Sequence, residues 1–325
     1  MFKQVGTKDI RNVPRWLVIL AFANIYILWG STYLAVIYGL QGIPPFIMGG
    51  LRYFSASLIL LGWCAYKGEK LPGRRHILNS AGSGVVMLVG GSGLVAWSEQ
   101  FVSSGQAAIL IATEPFWFLI LDKKNWRTNF ADKLTLAGLV TGFIGIVLFF
   151  LWSGSTNVHG ETKFELFASM VIIGSALLWV SGSLFSKNNP SSGSPFMSSA
   201  IQLLAAGFVS SLIALLAGEW SDFSFSAIPL KAWAGLLFLI IMGSVVAYVS
   251  FVWLISVRSP ALVSTHTYVN PVVAVILGSL FINEKISAFQ VMAMFVILAG
   301  VLMTNLKTYK RSARVIEGQK VESLT

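Results

Sequence analysis

The sequence predicts an all-α membrane protein of ten transmembrane helices, built as two inverted five-helix repeats with both termini cytoplasmic. Three observations predict it: ten long apolar runs, a one-sided distribution of Lys and Arg, and a recurrence of residues at an offset near 150.

The runs are Trp16–Tyr38, Pro45–Tyr66, Ile77–Trp97, Gly105–Leu121, Asp132–Trp152, Leu166–Ser186, Phe196–Ala217, Ala232–Ile255, Ala261–Phe281 and Ile286–Leu306. Each is about 17–24 residues, enough to cross a hydrocarbon core of ~30 Å at ~1.5 Å per helical residue. A polar, basic leader (1–15) precedes them. The run after it is too long for a signal-peptide core and has no small-residue cleavage site, so it reads as a retained first helix. Residues 16–152 form the first repeat, 153–165 an external linker, 166–306 the second repeat and 307–325 a cytoplasmic tail.

Charge sets the expected orientation. With the N-terminus inside, nineteen of the 23 Lys and Arg fall on the cytoplasmic side. Only Lys163, Lys231 and Lys285 fall outside, and Arg52 lies within a helix. That is the positive-inside pattern. The net charge of +10 therefore reflects membrane topology and gives no reason to expect nucleic acid. The single Cys64 sits in an apolar run, which excludes a disulfide framework and a paired thiolate site. No cofactor motif is present, and the histidines His76, His159 and His266 lack metal-ligand spacing.

At an offset of 150, Trp29 falls on Trp179, Ser31 on Ser181, Pro45 on Pro195, and Arg52 on Gln202. The offset drifts to 156 where Pro115 meets Pro271, and to 155 where Gly145 meets Gly300. Five helices per copy is odd, so the copies insert upside down. Such repeats enclose a midplane site in many carriers.

Several motifs resemble one family. Leu28-Trp29-Gly30-Ser31-Thr32-Tyr33, Pro44-Pro45 and Leu51-Arg52-Tyr53 are similar to the opening of an EamA-type half of the drug/metabolite transporter superfamily. Ser104-Gly105-Gln106-Ala107-Ala108 with Ala112-Thr113-Glu114-Pro115 resembles its fourth-helix signature. Ser259-Pro260-Ala261, then Tyr268-Val269-Asn270-Pro271-Val272-Val273-Ala274-Val275 and Asn283-Glu284-Lys285, resembles its ninth. The likeness is nearest to the YedA-like branch. It implies a transporter of amino-acid-type metabolites or drugs or, in distant branches, nucleotide sugars. The chain departs from the pattern at Leu121-Asp122-Lys123-Lys124, where Gly-Glu is usual, and at Glu114, where the pattern is apolar.

Ionisable groups inside spans are costly and mark functional candidates: Arg52, Glu114, His266 and, near an outer helix end, Glu99. Arg52 lies seven residues past Pro45, ~10 Å down its helix, and Glu114 nine past Gly105, ~13 Å. Matching depths allow an Arg52–Glu114 pair. Such a pair either joins two helices or serves transport, with Glu114 linking proton movement to solute flux. Glu114-Pro115 and Asn270-Pro271 repeat one arrangement, a polar residue beside a helix-kinking proline. His266 shares a helix face with Asn270, and either titrates in the path or hydrogen bonds to a neighbouring helix.

Among the aromatics, Trp29, Tyr33, Trp97, Trp179, Tyr248 and Tyr268 join Gln202 as expected cavity residues; Trp16, Trp63, Trp152 and Trp233 read as interfacial belts. Gly138-x-x-x-Gly142 fits close helix approach, within the bundle or between protomers. The expected function is a secondary-active carrier of the bacterial inner membrane, exporting a small amino-acid-like or cationic solute. The rivals are a channel, a nucleotide-sugar-type exchanger and a membrane-embedded enzyme. Only one basic residue within the spans disfavours a diphosphate ligand.

Overall fold

The computed structural model describes residues 13–102, 107, 110–151, 162–221, 223–282 and 287–304. The Ser104-Gly105-Gln106 and Asn283-Glu284-Lys285 motifs, most of the 153–165 linker and both tails lie outside them. Among the described residues all regular secondary structure is helical.

Among the described residues, six helices are long and apolar enough to cross a membrane: α1 Arg15–Leu40, α2 Pro45–Tyr66, α3 Arg74–Ser98, α6 Thr162–Asn188, α7 Pro195–Leu216 and α8 Leu230–Val257. Between them run α4 Glu114–Leu121 and α5 Lys133–Leu151, and after them α9 His266–Ile282 and α10 Ala288–Thr304. Large apolar side chains such as Ile19, Leu58, Phe167, Phe208 and Phe295 face outward, while Glu114, Gln202, His266 and Asn270 are buried. That inversion of soluble-protein polarity suits a lipid surround.

α2 and α7 lie antiparallel and pack along their lengths. Each begins with proline in its first turn, where a missing N–H costs nothing. Each is followed by a glycine in left-handed backbone, Gly68 at φ 67° and Gly218 at φ 73°, a conformation costly for any residue with a Cβ. The next residue is a glutamate in both copies. Glu219 accepts the backbone N–H groups of Phe46 and Ile47 at 3.1 and 2.9 Å, capping α2. Glu69 accepts the hydroxyl of Ser194 at 2.8 Å, and Ser194 in turn caps α7 by accepting from Met197 N at 3.2 Å. The end of each helix thus fastens the start of its partner.

α5 and α10 cross where small residues coincide. A Cβ on Gly300 would press on the Gly142 backbone nitrogen and lie 2.7 Å from Gly138 O. The Gly138-x-x-x-Gly142 stripe therefore serves contact inside the bundle.

Among the described residues three stretches are π-helical: Asn24–Leu28 in α1, Val85–Gly93 in α3 and Leu239–Ala247 in α8. The last two are nine residues each and occupy corresponding helices of the two repeats. Such turns widen the helix and misalign its carbonyls, and they gather at functional sites. Breaks precede α4 at 112–113 and α9 at 264–265. Pro115 therefore lies in the first turn of α4 and starts a helix where a mid-helix kink was expected. Pro271 is inside α9.

Candidate functional site: a central cavity between the repeats

A cavity of about 180 Å³ lies between the repeats. α1, α2 and α4 contribute Trp29, Tyr33, Arg52 and Glu114, and the turn after α3 contributes Glu99; α6, α8 and α9 contribute Trp179, Tyr248, His266 and Asn270. Its walls reach the face where α2 begins and α3 ends, at Pro45, Phe46 and Glu99. Toward the opposite face the space is filled by a buried apolar core including Leu17, Phe118, Leu184, Trp253 and Val263.

The floor is aromatic. Trp29 and Trp179, equivalent by the 150-residue offset, meet edge to face at 5.7 Å. Phe251 lies 5.2 Å from the first and 5.3 Å from the second, and the His266 ring is 4.9 Å from Trp29. The two tryptophans differ in one respect. Trp29 Nε1 donates to Gly243 O, in the π-helical turn of α8, at 3.1 Å, whereas Trp179 Nε1 is buried without a partner.

Arg52 Nε donates to Ser244 Oγ at 2.7 Å, and its guanidinium stands over the Tyr53 ring at 5.3 Å. It does not form the anticipated hydrogen-bonded pair with Glu114, whose Oε2 is buried without a partner. The π-helical turn of α8 brings Ser244 within reach of Arg52 and takes up that donor. Tyr33, Glu99 and Glu114 line the same cavity. Burial at the cavity mouth, just past α3, pushes the Glu99 carboxyl up to about 7.

Asn270 joins α9 to α1. The hydrogen-bond network assigns its amide nitrogen to three carbonyls, His266 O at 2.9 Å, Ile25 O at 3.1 Å and Tyr26 O at 3.2 Å. Ile25 and Tyr26 belong to the π-helical turn of α1. Tyr26 and Thr265 hydroxyls also meet at 2.7 Å, beside the break before α9.

Three expected lining residues do not reach the cavity. Trp97 packs on Phe101 and Phe167 at 5.0 and 6.3 Å. Gln202 donates to Ser83 and Ser186 hydroxyls and accepts from Tyr248 at 3.1 Å, a polar knot under the wall. Tyr268 is buried and donates to Leu139 O at 3.1 Å, tying α9 to α5. Conversely, Thr32, Ser175, Ser210 and Ser244 line the cavity without standing out in sequence, since isolated hydroxyls in apolar runs also satisfy their own helix carbonyls.

The EamA-like transporter family model matches residues 15–151 and 166–306, one copy per repeat. The chain belongs to the EamA-like transporter family. Its members are transporters, not enzymes, and this chain is a membrane transporter. Among similar EamA-type proteins, the inner membrane transporter YedA of Escherichia coli K12 is 33% identical over 300 residues, covering 91% of this chain and 93% of YedA. The transporter YoaV of Bacillus subtilis 168 is 25% identical over 307 residues, covering 90% of this chain and 98% of YoaV. A solved crystal structure superposes with a TM-score of 0.72 at 16% identity, covering 91% of this chain and 99% of that one. It shows the shared fold.

Proposed function

We propose that this EamA-family chain is a secondary-active carrier of the bacterial inner membrane. It has ten spans and cytoplasmic termini, and exports a small amino-acid-like or cationic solute by alternating access. The single observation carrying this reading is a cavity walled by both repeats, extended to one face and sealed toward the other by aromatic and apolar packing. With the basic ends of α2, α6 and α8 placed inside, that cavity opens outward. The pseudo-equivalent halves supply the means of reversal, since exchanging their packing closes one face as it opens the other. Aromatic walls and carboxyl groups suit an amine-bearing solute, and among the described lining residues Arg52 alone is a Lys or Arg that a diphosphate could use.

Glu114 is the coupling residue in this reading. A buried carboxyl without a partner must protonate, meet water or meet solute, and a carrier uses each of these in turn. Glu114→Gln keeps shape and removes the proton site. In proteoliposomes it is expected to abolish pH-gradient-driven flux of radiolabelled solute while leaving counterflow partly intact. Normal gradient-driven flux in that variant would assign the carboxyl a structural role only.

A further inference from the structure

We infer that the cavity holds a primary-ammonium subsite, formed by Glu114 Oε2 and His266 Nε2 as acceptors beside the Trp29 ring. The inference rests on the carrier reading and names the chemical group its solute presents there.

Asn270 fixes the imidazole. Its amide nitrogen is committed to the carbonyls of His266, Ile25 and Tyr26, so its oxygen is turned toward His266 Nδ1, where the facing atoms are 3.4 Å apart. An amide oxygen only accepts, so the imidazole proton sits on Nδ1. His266 Nε2 is then a bare acceptor. It is buried, it has no partner, and its residue lines the cavity at 4% exposure. Glu114 lines the same cavity at 6% exposure, and its Oε2 also lacks a partner.

Two buried acceptors without partners, one of them a carboxyl oxygen, thus belong to residues that line one cavity. A buried acceptor left bare keeps its full desolvation penalty, more so when it is charged. A group with several N–H donors and a positive charge answers both, and an ammonium has three donors and no acceptor. A carboxylate or phosphate would face acceptor against acceptor. The Trp29 ring, 4.9 Å from the imidazole and itself lining the cavity, is an aromatic neighbour for the same cation. Its own N–H is already spent on Gly243 O, so the ring is held in place. Arg52, held by Ser244, keeps its remaining guanidinium N–H groups for the other end of the solute.

The test uses three matched probes on the purified full chain: 2-phenylethylamine, 2-phenylethanol and 3-phenylpropanoate, with binding followed by tryptophan quenching. The amine is expected to bind saturably and at least about tenfold more tightly than the alcohol, the effect of one charged hydrogen bond. Glu114→Gln is expected to erase that preference in a variant that still unfolds cooperatively. ¹⁵N spectra of labelled histidine are expected to show His266 protonated at Nδ1. Equal binding of amine and alcohol, no saturable amine binding, or a His266 proton on Nε2 would each overturn the subsite. Preferential binding of 3-phenylpropanoate would overturn it while leaving the carrier reading intact. Amine binding in a protein whose cavity never changes sides would keep the subsite and reject the carrier.

Discussion

Removing the Glu219 carboxylate tests whether the two repeats are fastened end to end. α2 opens with Pro45, which has no N–H, and Met48 N already bonds Pro44 O at 2.8 Å. Phe46 and Ile47 are the two donors its first turn leaves open, and Glu219 takes both. Glu219→Ala returns them to a partly buried helix end. Losing such a cap costs ~1–2 kcal/mol, and losing the anion at the positive end of the helix dipole a further ~0.3–1 kcal/mol. Glu219→Gln keeps an acceptor and forfeits chiefly the charge term, ~0.3–1 kcal/mol. Glu69→Ala breaks the hydrogen bond to Ser194, yet Ser194 still caps α7, so its cost stays near that of one hydrogen bond, ~0.5–1.5 kcal/mol. Reversible SDS-titration unfolding in micelles orders the three. The expected order of loss is Glu219→Ala, then Glu69→Ala, then Glu219→Gln. If Glu219→Ala is no worse than Glu219→Gln, the carboxylate does not cap α2 and the fastening is wrong.

Two further outcomes are expected. Gly300→Ala should lower the unfolding temperature by the equivalent of ~1–3 kcal/mol, because its Cβ meets backbone of α5 that cannot swing aside. Gly62→Ala, with nothing within 4 Å of its Cβ, should be neutral or slightly stabilising when both are followed by thermal unfolding. For Glu99, a folded-state value near 7 against the usual 4.5 means the folded protein holds this proton more tightly than the unfolded chain. Its contribution to stability is therefore complete below about 4.5 and falls as pH rises through 7. Glu99→Gln should remove that decline from a pH series of unfolding midpoints, and an unchanged slope would place the carboxyl in water.

Much of the fold was legible because membrane helices write their length and apolarity directly into sequence. The 150-residue offset also placed Trp29 on Trp179, and the two indoles meet at the cavity floor. The same offset misplaced Gln202. Its equivalence to Arg52 is positional, but Gly84 lies against the Gln202 backbone, and that close approach leaves its side chain to bond Ser83 and Ser186. Trp97 was misread for a different reason. It follows nine residues of π-helix in α3, whose wider turns change the facing of the residues beyond them, and it packs on Phe101 and Phe167. The Arg52–Glu114 pair was inferred from depth, which says nothing of Ser244 supplied by the other repeat. The Glu219 cap could not be read at all, since its donors lie 172 and 173 residues away and no local pattern links them.

If one cavity serves both faces, a thiol placed in it is reached from each side in turn. In a Cys64→Ala background, a cysteine at Thr267 lines the cavity from α9. In oriented proteoliposomes, a membrane-impermeant maleimide is applied from one side at a time under opposite imposed pH gradients. The account predicts labelling from the outer face under one gradient and from the inner face under the other. Labelling from a single face under every condition, or from both faces at once, would contradict alternating access.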